Sequence, residues 1–119
     1  MLELTEADFD RQISSGGTVV VDFTAEWCPP CRLLTPVLAR IATAFEACAT
    51  FATVDADQNP QILARYHITA LPTVVVFNGG EPIHVMRGLR DEKMLLAELR
   101  DAINRASRAP APSPPVRKL

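Results

Sequence analysis

A single α/β domain, with a mixed five-stranded sheet flanked by four helices, is the fold class this sequence predicts, from three observations. β-branched, nearly continuous apolar runs alternate with segments of helical period, which is the pattern of strands joined by crossover helices. The last two strand signals are separated only by Asn78-Gly79-Gly80, a hairpin connection, so antiparallel strands are added to a parallel part. Finally, Trp27-Cys28-Pro29-Pro30-Cys31 stands where an apolar run gives way to a helical pattern, so the chain is organised around one strand-to-helix junction.

Taken in order, Met1–Leu4 is a brief edge strand. Thr5 caps a first helix, with Asp8 at N3 in a relative of the capping box and Leu4 and Phe9 in the staple positions. That helix runs to about Ile13 and stops at Ser14-Ser15-Gly16-Gly17. Thr18–Thr24 suits a central strand covered on both faces, and Asp22 breaks its apolar run. The helix after the cysteines carries Leu33, Leu34, Val37, Leu38, Ile41, Ala42 and Phe45 on an inward stripe, is kinked by Pro36, and ends near Glu46 or Ala47. Thr50–Ala56 is the next strand. Asn59 and Pro60 open a short helix to about Arg65 as N-cap and N1. Thr73–Phe77 and Pro82–Arg87 form the hairpin, and Gly88 ends it. Asp91 caps a last helix to about Arg105, with Met94, Leu95, Leu99, Ala102 and Ile103 facing inward. From Ala106 the Pro-rich composition holds neither helix nor central strand, so the domain is expected over residues 1–105 and a solvated tail over 106–119.

At 119 residues, 48% hydrophobic and 22% charged, the chain is long enough for one real core. A formal net charge of −2 is too near zero to suggest a nucleic-acid or membrane-surface partner. No run approaches the ~20 apolar residues of a membrane span, and no signal-like segment opens the chain. Three cysteines, an odd count, do not suggest a disulfide-stapled secreted scaffold. A soluble protein of a reducing compartment is expected, where a CxxC is catalytic or metal-binding. Zinc needs three or four ligands, and beyond the pair only Cys48, His67 and His84 remain, scattered along the chain, so no metal site is expected.

Redox chemistry follows from the spacing. In the first turn of a helix, positions i and i+3 share a face, which brings their Cα atoms to roughly 5–6 Å, within reach of a disulfide. Orphan N–H groups and the positive end of the helix dipole favour thiolate over thiol. Cys28, at the N-cap, is therefore the expected nucleophile, and Cys31, one turn in, the buried resolving thiol.

The sequence resembles the thioredoxin family through Val21-Asp22-Phe23, Ala25-Glu26-Trp27-Cys28, Pro30-Cys31 with Pro36, Asp57-Gln58-Asn59-Pro60, Leu71-Pro72-Thr73, and Gly80 and Gly88, in family order and spacing from about residue 2 to 105. The resemblance implies the thioredoxin fold and a protein-disulfide reductase working by dithiol–disulfide exchange through Cys28 and Cys31. It implies disulfide-containing client proteins, regeneration by an NADPH-dependent thioredoxin reductase, no cofactor of the protein's own, and a cytoplasmic monomer. It makes Asp22 a buried carboxylate that exchanges a proton with Cys31, and Leu71–Pro72 a cis peptide packed against the cysteines. Trp27, Pro30, Leu71, Pro72 and Gly88 would form an apolar substrate-docking surface, with Trp27, the one tryptophan, reporting the redox state. Departures are Pro29, where glycine is usual, Thr24 in place of an aromatic, and Thr53 where a lysine often neighbours the aspartate. Cys48 is expected to be inert, and His67 and His84 to be unpaired surface or loop residues. Two other readings stay open: a client-specific oxidase or isomerase, and a non-catalytic binding module on the same fold.

Overall fold

The computed structural model describes residues 1–108. In chain order the elements are β1 (Leu2–Leu4), α1 (Phe9–Ile13), β2 (Thr18–Thr24), α2 (Pro29–Ala44), β3 (Thr50–Asp55), α3 (Pro60–Arg65), β4 (Thr73–Asn78), β5 (Glu81–Arg87) and α4 (Glu92–Arg108). The five strands form one sheet in the order β1-β3-β2-β4-β5. β1 and β2 run parallel to β3, while β4 runs antiparallel to both β2 and β5, so the sheet is mixed as expected. With four helices about this sheet, the architecture is the thioredoxin fold.

β2 lies at the centre of the sheet, and its side chains alternate between two cores because successive residues of a strand point to opposite faces. Val20 joins Leu34, Leu38, Val74, Val76, Leu95 and Leu99 beneath α2 and α4. Val19, Val21 and Phe23 join Phe9, Val54, Ile62 and Phe77 beneath α1 and α3. Phe77 packs edge-on against both Phe9 and Tyr66, and the centroids of the three rings lie 5.2–5.8 Å apart.

Several local expectations are corrected. Leu33 and Met94, placed on inward stripes, are 62% and 61% exposed. Each directly precedes a true core residue, Leu34 or Leu95, and so lies about 100° further round its helix. α2 ends at Ala44, with the Phe45 N–H turning back to the Ala42 carbonyl. α1 begins at Phe9, after a turn, although the Asp8 carboxylate still accepts from the Thr5 N–H at 2.7 Å, which is the reciprocal half of a capping box. Asn59 precedes α3 but does not cap it. Buried to 3% exposure, it accepts from the Glu6 N–H and donates to the Asp55 carbonyl, both at 2.9 Å. The Glu6 carboxylate then takes the Gln61 N–H, so the cap arrives from across the chain.

Asp91 does cap α4, accepting from the Met94 N–H at 2.8 Å. α4 continues to Arg108, through the boundary expected after residue 105, and the rest of the Pro-rich segment lies outside the described residues. His84 is paired rather than free: its Nε2 lies 2.6 Å from Glu98, which also holds Arg90.

Candidate active site

The central strand delivers the site. β2 ends at Thr24, the chain turns through Ala25–Trp27, and α2 starts at Pro29 with Cys28 as its N-cap residue. Pro29 at N1 suits this start, because its missing N–H belongs to the turn that has no intrahelical partner anyway. Pro30 removes a second N–H, so the Cys31 N–H donates to Cys28 Sγ at 3.3 Å in this turn. Cys28 and Cys31 are joined as a disulfide with Cα atoms 5.2 Å apart, the separation expected for i and i+3 at a helix start. Cys31 is fully buried and Cys28 nearly so, at 3% exposure. The two sulfurs cluster with Ala25 and Ala56, and Leu63 and Leu71 pack against them.

Of the other expected residues, Leu71 packs against this pair. Leu71 is half-buried and the Leu71–Pro72 peptide is cis. Leu71 takes part in no backbone hydrogen bond among the described residues, while the Pro72 carbonyl accepts from the Gly88 N–H at 2.9 Å. Gly88 holds that contact at φ +84°, which a side chain would strain. Pro30 is half-buried and Gly88 exposed. Trp27 is 66% exposed rather than a core aromatic, and its Nε1 donates to Asp57 at 2.8 Å.

Asp22 sits on β2 between Thr53 of β3 and Val74 of β4 and is 1% exposed. Burial pushes its carboxyl up to about 6, against a smaller opposing pull from the Thr35 hydroxyl. That hydroxyl donates to Oδ2 at 2.6 Å, and Oδ1 is buried without a partner among the described residues. A groove of about 400 Å³ lined in part by Thr24, Cys31, Thr35 and Thr53 runs alongside.

Thr35 and Asp57 were not anticipated as contacts. The signal for Thr35 was present: a polar residue one turn after Cys31, on the face that carries Leu34 and Leu38 inward. For Asp57 nothing in the sequence named its partner, thirty residues away. Cys48 is exposed and remote from this site in the chain, and among the described residues no group of three or more His, Cys, Asp or Glu could hold a metal ion.

A disulfide closed across the first turn of a helix, at the end of a central strand and on this fold, defines a thiol–disulfide oxidoreductase. The chain matches the family model described as Thioredoxin over residues 1–101. It is 38% identical over 101 residues to thioredoxins of Staphylococcus aureus, strains MW2, N315 and COL among them, an alignment covering 85% of this chain and 95% of theirs. The chain belongs to the thioredoxin family.

Proposed function

We propose that this protein is a general protein-disulfide reductase, acting in the cytoplasm as a monomer on disulfide-containing clients. The observation that carries this reading is the Cys28–Cys31 pair at the N-terminus of α2, where one sulfur lies at the cap and the other one turn in.

In the reduced protein, the Cys28 thiolate attacks one sulfur of a client disulfide. The client S–S bond breaks, a mixed disulfide forms, and the first client thiolate leaves. Cys31 gives its proton to the Asp22 carboxylate and attacks Cys28 Sγ. The bond between Cys28 and the client breaks, and the second client thiolate departs. Two electrons have passed from the dithiol to the client, leaving the Cys28–Cys31 disulfide. An NADPH-dependent thioredoxin reductase returns them. Asp22 suits its role because a carboxyl held near 6 is a base at pH 7, yet close enough to that pH to give the proton up again.

Trp27, Pro30, Leu71, Pro72 and Gly88 serve as the docking surface in this reading. The exposed face of the indole, whose Nε1 is held by Asp57, and the Leu71 backbone, unpaired among the described residues, are its two recognition elements. No helix among the described residues is long and apolar enough to cross a membrane.

The test is the Cys28–Cys31 reduction potential, read from Trp27 fluorescence in thiol/disulfide buffers. A value below roughly −250 mV is expected for an electron donor. A value above roughly −200 mV would instead favour an oxidase or isomerase.

A further inference from the structure

Thr35 lies between the buried Asp22 carboxylate and the groove, and it belongs to the same helix face as Cys31, one turn on. It is half-buried, whereas Asp22 is 1% exposed. Its Oγ1 is 2.6 Å from Asp22 Oδ2 and 3.5 Å from Thr24 Oγ1. A hydroxyl has one proton and two lone pairs. When Thr35 donates to Asp22, the contact with Thr24 can be made only with Thr24 as donor. When Asp22 is protonated on Oδ2, the same hydroxyl can accept that proton's bond and turn its own proton towards Thr24 and the groove. The Asp22–Thr35–Thr24 contacts therefore form a chain from a buried acid to an open, hydroxyl-lined surface.

We propose that Thr35 is a positioning residue for the resolving step, holding Asp22 as a base towards Cys31 and passing its proton to solvent through the Thr24 side of the groove. This rests on the reading of Asp22 as the base for Cys31.

The surroundings leave Thr35 little competition for this task. On β3 the register neighbour of Asp22 is Thr53, and on β4 it is Val74, neither of which carries charge. The charged groups lining the groove are Glu3 of β1, Glu26 before α2, Arg32 of α2 and Asp55 of β3. Glu3, Glu26 and Arg32 are exposed and Asp55 half-buried, and Asp22 is hydrogen-bonded to Thr35 rather than to any of them. Removing the hydroxyl takes away the pull that opposes desolvation, so the Asp22 carboxyl must titrate higher.

The experiment follows the reduced protein reacting with an aromatic disulfide, 5,5′-dithiobis(2-nitrobenzoate), by stopped-flow absorbance between pH 4.5 and 8. The Cys28 attack releases the first thionitrobenzoate, and the Cys31 attack on the mixed disulfide releases the second. The leaving group needs no proton, so the second phase reports the deprotonation of Cys31. In the unmodified protein this phase is expected to rise through a midpoint near 6. In Thr35→Val the midpoint should move up by roughly one pH unit. Thr35→Ser should restore it, which loss of packing alone would not explain. Thr35→Ala is the second variant should valine disturb the fold.

Asp22→Asn separates the two ideas. It should abolish the midpoint. If it does so while Thr35→Val and Thr35→Ala leave the midpoint where it was, the role of Thr35 is overturned and that of Asp22 stands. A midpoint that survives in Asp22→Asn overturns the base assignment itself, and this proposal with it.

Discussion

Asp22 concentrates the conflict between folding and chemistry in one residue. Its carboxyl is raised from 3.8 to about 6 by desolvation, with the Thr35 hydrogen bond pulling the other way. The folded protein therefore binds this proton more tightly than the unfolded chain. The stabilisation from protonated Asp22 is fully present below about pH 4 and is lost as the pH rises through 6. That rise corresponds to about 3 kcal/mol at neutral pH. Asp22→Asn should accordingly stabilise the oxidised protein by up to about 3 kcal/mol at pH 7.5, and by little at pH 4. Urea titrations of both proteins at the two pH values check this; an equal gain at both would point to packing instead. The residue whose burial costs stability at neutral pH is thus the one proposed to move a proton, the kind of local conflict expected at a functional site.

At the scale of the element, α2 is tuned by its first turn. Two consecutive prolines leave the Cys31 N–H as the donor seen on Cys28 Sγ. Pro29→Gly returns an N–H to the end of the helix where a thiolate would form, which favours the reduced protein. The expected result is a lower Cys28 pKa and a potential less negative by up to about 30 mV, the equivalent of ~1.4 kcal/mol. Equilibration against a thiol/disulfide buffer, together with thiolate absorbance near 240 nm, measures both. An unchanged potential would mean that the Pro29 N–H deficit carries no weight. α3 shows the opposite arrangement. Its start looks locally capped by Asn59, yet its cap comes from Glu6, because the Asn59 side chain is committed to Asp55 and to the Glu6 backbone.

Across the whole molecule, the sheet separates stability from chemistry. The core beneath α2 and α4 and the core beneath α1 and α3 flank β2, while the cysteines sit at its end in a small cluster of their own. Leu99 is fully buried in the first core, among Val74, Val76 and Ile103. Leu99→Ala should cost about 2–5 kcal/mol. In a domain of this size that lowers the melting temperature by roughly 10 °C or more, while the Cys28–Cys31 potential stays in place. A parallel loss in potential would show that core and site are coupled. The exposed ion pairs Arg40–Glu92 and Arg65–Asp10 join distant segments but are solvated and worth little each.

The sequence by itself determined the fold class, the order of the elements, the disulfide pair and the position of the buried aspartate. Each depends on local pattern: β-branched runs, helical period, turn residues, and two cysteines one helical turn apart. β2 was legible from end to end, because a strand covered on both faces is continuously apolar and Asp22 stands out against it. The resemblance carried the cis Leu71–Pro72 peptide, which no local pattern announced. Only the tertiary structure decided which groups answer them: Thr35 to Asp22, Asp57 to Trp27, Glu6 to α3 and Glu98 to His84. Those pairings depend on where sheet register and helix rotation bring distant side chains. The same rotation turned Leu33 and Met94 out to solvent, where the apolar pattern alone had placed them in the core.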